Sequence, residues 1–96
     1  MALWMAWAVM SVASAGGEMD DVEGAVAALD RSVQRILDRD PAMTGRPATA
    51  LRASARDIRT RMLGEGRAAV EQGERWLAEV GGVRVLLVPR DDESLA

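Results

Sequence analysis

Apolar and polar positions follow three different patterns along the chain. Residues 1–17, MALWMAWAVMSVASAGG, carry no charged side chain, and Glu18 is the first to appear. Leu3, Trp7 and Met10 fall at i, i+4 and i+7, the spacing of one helix face, and Trp4 lies three residues before Trp7. This first segment is therefore predicted as an apolar helix. At 1.5 Å per residue it would be about 25 Å long, short for the roughly 30 Å hydrocarbon core of a bilayer.

The second pattern begins after Gly16 and Gly17. Asp20 stands three residues before Glu23, the spacing of a capping box, and predicts a helix start. Val22, Val26, Leu29, Val33 and Ile36 then recur at spacings of four, three, four and three, with Ala25 and Leu37 widening the stripe and Arg31, Arg35 and Arg39 on the other side. Pro41 closes a helix over about 21–40. Residues 41–47, PAMTGRP, read as a connection. A second helix over about 48–80 presents Leu51, Ala55, Ile58 and Met62 on one face and continues through Val70, Trp76 and Val80.

Gly64 and Gly66 weaken that helix by about 1 kcal/mol each relative to alanine, which predicts a bend or break near 64–66. Gly66 and Gly73 also offer room for another helix to approach closely. The series Asp57, Arg61, Glu65 and the series Arg67, Glu71, Arg75, Glu79 run at i, i+4 and predict a solvated helical face.

The third pattern follows Gly81 and Gly82. Val83-Arg84-Val85-Leu86-Leu87-Val88 favours a strand and Pro89 stops it. The pattern offers no second strand, so its unpaired amides and carbonyls call for a partner's sheet or a second copy. Asp91, Asp92 and Glu93 in the polar tail are adjacent rather than spaced like the ligands of a calcium loop. The fold class expected is mainly α: an apolar N-terminal helix (1–17), a helical hairpin (18–80), and a short C-terminal strand with an acidic tail (81–96).

Composition narrows the chemistry. Of 96 residues, 49% are hydrophobic but only 3% aromatic, and Ala supplies 17 against 21 for Val, Leu and Ile together, so each residue brings little area to a core. There is no His and no Cys, which excludes a His-centred acyl-transfer triad, a cysteine nucleophile, a disulfide framework and the usual zinc ligands. Twelve basic residues, all Arg, face fifteen acids for a net charge of -3, a balance that disfavours nucleic-acid binding. No glycine loop with a lysine is present to cradle phosphates, and no cofactor is implied.

These features predict a noncatalytic structural or adaptor subunit of a larger assembly, working through helix packing and strand addition to a protein partner or a second copy. The expected partner-binding residues are Leu3, Trp4, Trp7 and Met10 in the first segment, and Val22, Val26, Leu29, Val33 and Ile36 in the first hairpin helix. Leu51, Ile58, Met62 and Trp76 in the second helix and Val83, Val85 and Leu87 in the strand complete the set. Two alternatives belong to other classes. Leu3 to Val12 followed by Ala13-Ser14-Ala15 has the small-x-small end of a secretory signal, without a basic start, and predicts an exported or membrane-associated protein acting through residues 1–15. Arg52, Arg56 and Arg59 form a basic patch able to make a minor contact with a nucleic acid or phosphate, or to meet an acidic partner. The corresponding locations are the membrane or exterior on the one hand and a cytoplasmic complex on the other.

Overall fold

A computed structural model of the chain describes residues 2–9 and 13–90. Its first segment is a pair of strands rather than a helix: β1 (Ala2–Val9) and β2 (Ala13–Met19) run antiparallel. Leu3, Met5 and Val9 are fully buried, a period of two that directs odd-numbered side chains into the core. The even-numbered residues Trp4, Ala6 and Ala8 are apolar too, which hides the alternation and lets a helical stripe be drawn through the same letters. The expected apolar helix, with its roles as membrane element or partner-packing helix, is thereby replaced. Among the described residues no helix is long and apolar enough to cross a membrane.

Helix α1 (Val22–Arg39) matches its prediction, and Val22, Ala25, Val26, Leu29, Val33 and Ile36 all lie on its buried face. Its N-cap is Asp21, one residue later than the capping-box spacing suggests. Asp21 Oδ1 accepts from the Gly24 amide at 2.7 Å, while Glu23 pairs with Arg67 instead of reaching back to the cap. Asp21→Ala is accordingly expected to cost about 1 kcal/mol in a urea or thermal melt and Asp20→Ala only a few tenths, the typical worth of a cap and of a surface charge near a helix start. Equal losses from both variants would contradict the cap assignment.

After the connection, α2 (Gly45–Arg61) takes Pro47 into its first turn, where its missing N–H has no intrahelical partner to lose. A π-helical turn over Met62–Gly66 joins α2 to the short α3 (Arg67–Glu71). The bend expected near 64–66 is this wider turn. The helix does not run on to residue 80. Gly73 adopts φ +78° and donates to the Val70 carbonyl, while Glu74 donates to Ala69, the paired bonds that close a helix with glycine in the left-handed conformation. The i, i+4 ladder of Arg67, Glu71, Arg75 and Glu79 is broken there, and Glu79 pairs with Arg84 instead.

Trp76–Val80 form strand β3, with Trp76 and Ala78 buried and Leu77 and Glu79 outward. A two-residue loop, Gly81-Gly82, with φ +58° at Gly81, turns the chain into β4 (Val83–Arg90). Far from being an unpaired strand awaiting a partner, β4 is interior, hydrogen-bonded to β1 on one side and β3 on the other. Pro89 does not end it, because β3 stops opposite Leu87 and Pro89 sits where β4 has a neighbour on one side only.

The sheet is four-stranded and antiparallel in the order β2-β1-β4-β3. The fold is thus mixed α/β, not a mainly α hairpin. Two β-hairpins are joined by a helical hairpin that crosses from edge strand β2 to edge strand β3, with α1 against β1 and β2, and α2 against β3 and β4. All helices lie on one face, and a single cluster of buried side chains between the two layers is the core.

Candidate interaction surface

The pleat sorts the sheet residues onto two faces. On the inner face, Leu3, Met5, Val83, Val85 and Leu87 are completely buried. The register places the outward side chains in rows that cross the sheet, two of them over all four strands and one over β4, β1 and β2. Leu77, Leu86, Ala6 and Gly16 form one row, Val88, Trp4 and Glu18 the next, and Glu79, Arg84, Ala8 and Ser14 the row on the other side. The middle of this face is apolar from edge to edge. Leu77, on edge strand β3, is 62% exposed, against 38% for Leu63, the other exposed large apolar side chain among the described residues.

Trp4 lies over Gly16: a Cβ at that glycine would come within 2.8 Å of Trp4 Cζ2. The ring has its place because β2 supplies no side chain beneath it. Beside Trp4 the small residues Ala6, Ala8 and Gly16 floor a hollow of about 650 Å³, walled on the far side by Leu77 and Leu86. The charges on this face are already paired, although Arg84, on interior strand β4, lines the hollow itself. Arg84 lies 3.6 Å from Glu79, and Arg90 reaches over β1 to within 3.4 Å of Glu18. Such exposed pairs are worth at most about 1 kcal/mol, but they leave the face without net charge.

Of the residues expected to bind partners, Leu3, Val22, Val26, Leu29, Val33, Ile36, Leu51, Ile58, Met62, Trp76, Val83, Val85 and Leu87 are buried in this chain's own core. They offer no surface to another molecule. Trp7 is half-buried at the end of the inner face, where Nε1 donates to Ser32 Oγ at 2.8 Å. Trp4 stands on the open face, Trp7 also lines the hollow there, and Met10 lies outside the described residues. Sequence reasoning missed Leu77, Leu86 and Val88. The available signal was the unbroken run Leu86-Leu87-Val88, since a strand with one wet face alternates and one covered on both faces does not.

Arg52, Arg56 and Arg59 do share a cleft of about 270 Å³ between α1 and α2, but Asp30 lies in it and pairs with Arg59 at 3.5 Å. Its basic character is thereby reduced. Among the described residues no polar or charged side chain is buried, and no three carboxylates gather to hold a metal ion. Asp91, Asp92 and Glu93 lie outside the described residues. The sheet is unclosed: β2 and β3 each have one free edge able to pair with another chain. Comparison with protein-family models, characterised proteins and solved structures finds no match to this chain.

Proposed function

We propose that this protein is a noncatalytic interaction module, a structural or adaptor subunit that joins an assembly through the open face of its sheet. The observation that carries this reading is β1, ALWMAWAV, which has no polar residue on either face although helices cover only one. An antiparallel sheet with one face in water ordinarily shows apolar and polar residues in turn. The central outward positions here are Trp4, Ala6, Leu86 and Val88, and a partner's apolar surface supplies the missing cover.

The contact mode differs from the one the sequence suggests. The stripe on α1 is spent on the core, and the interior position of β4 removes Val83–Val88 from strand addition. Strand addition transfers to the free edges of β2 and β3, of which β3 carries exposed Leu77 beside the apolar face. A photo-crosslinking residue placed at Leu77 or Leu86 in the source cells is expected to yield protein adducts, while the same residue at Arg52, on the exposed side of α2, yields none. Absence of adducts from the sheet positions would remove the proposal.

A further inference from the structure

We infer that the partner on the open face is a second copy of this chain, the two sheets stacking face to face with both helical layers outside. The inference rests on the reading of that face as an interaction surface and names its occupant.

Charge is the first argument. Each copy brings two arginines and two glutamates, Arg84 with Glu79 and Arg90 with Glu18, paired within itself. Facing copies therefore meet without net repulsion, whereas a nucleic acid or a strongly charged protein finds no unbalanced field to match. Shape is the second. A two-fold interface uses the same patch twice, so the patch must contain both a projection and a place to receive one. Here large side chains, Trp4, Leu77 and Leu86, stand around a hollow floored by Ala6, Ala8 and Gly16. Tryptophan in such a setting is the residue type that most often dominates binding.

Area is the third. Strands of eight, eight, seven and five residues at about 3.4 Å per residue and about 4.8 Å apart give a footprint of about 460 Å² per copy, or about 900 Å² for the pair, the range of weak, exchanging interfaces. The surface thus suffices for a dimer that exchanges at micromolar concentration rather than an obligate one. Sheets so stacked pack about 10 Å apart with their strand directions about 30° from parallel.

Sedimentation velocity of the full chain from ~1 to ~100 µM, the range in which such an interface titrates, is expected to show conversion from 10.3 kDa to twice that mass. Leu77→Arg changes an already exposed side chain and leaves the core alone, so its circular dichroism is expected to match the parent while dimer affinity falls about thirty-fold or more. Arg52→Glu, on the helical side, leaves the dimer unchanged. The mass of the Leu77 crosslink separates this inference from the reading beneath it. An adduct of twice the chain mass supports the second copy. An adduct of another mass overturns the second copy and retains the interaction module, and no adduct overturns both. A dimer indifferent to Leu77→Arg places the contact elsewhere and also overturns the inference.

Discussion

Leu87→Ala is expected to remove about 2–5 kcal/mol of folding stability, a large part of the roughly 5–14 kcal/mol available to a domain of this length. Leu87 is fully buried on interior strand β4, opposite Met5 on β1 and Trp76 on β3. Its Cδ1 comes within 3.3 Å of where a Cβ on Gly66 would be, so it touches the helical layer as well. Truncation removes apolar transfer energy and leaves a cavity among neighbours already committed to two layers. The adjacent Leu86→Ala is expected to cost less than about 1 kcal/mol in the monomer, because its side chain lies on the open face and is only partly withdrawn from water. Urea denaturation of both variants, followed by circular dichroism in dilute solution, measures the contrast. A larger loss at residue 86 than at 87 would mean that the pleat of β4 is reversed.

Gly64→Ala and Gly66→Val are expected to change stability in opposite directions although they share one π-helical turn. Nothing lies within 4 Å of a Cβ added at Gly64, so alanine there gains up to about 1 kcal/mol by restricting the unfolded backbone. A Cβ at Gly66 meets Trp76 Cε3 at 3.1 Å and Leu87 Cδ1 at 3.3 Å, and valine adds two further methyl groups against the same side chains. Overpacking of this kind costs about 1–3 kcal/mol. Thermal melts of the two variants beside the parent are expected to bracket it, and a stabilising Gly66→Val would contradict the contact. The close approach expected at Gly66 is therefore real in kind, but its partners are a strand tryptophan and a strand leucine rather than another helix. Gly73, the other residue considered for such an approach, instead closes α3.

Helix α1 was legible because its periodicity, its charge pattern and its C-terminal stop agree, although its cap falls one residue later than the capping-box spacing suggests. Its stripe has a period of 3.6, its polar side is charged, and Asp40 and Pro41 follow its last turn. Composition also limits the available side-chain chemistry: without His or Cys, whole classes of catalytic and metal centre are excluded whatever the fold. Of the strands only β4 was legible, from Val83–Val88; the other three were not, for reasons particular to each. In β1 both faces are apolar, so no alternation shows. In β2, ASAGGEM, small residues and two glycines carry no strand preference, and the segment is held by pairing with β1. In β3, Trp76, Leu77 and Val80 fit a helical spacing, Leu77 interrupts the alternation of Trp76, Ala78 and Val80, and the closing bonds around Gly73 decide for the strand.

The candidate surface divides in the same way. Trp4 stands out in the sequence as a large apolar residue in an uncharged segment, but whether it belongs to the core or to the surface depends on the pleat. Leu77 and Leu86 join it only because the register of β3, β4 and β1 aligns residues 77, 86 and 6 across the sheet. By itself the sequence determined the first hairpin helix, the bend after Met62, the shortage of large core side chains and the excluded chemistries, all of which depend on near neighbours or on residue type. Only the tertiary structure decided that Ala2–Val9, Ala13–Met19 and Trp76–Val80 are strands of one sheet with Val83–Arg90, because their hydrogen-bond partners lie as many as 88 positions away, as Ala2 and Arg90 do. Pairing across that distance turns two ambiguous apolar runs into a sheet with one face in the core and one face that the helices leave uncovered.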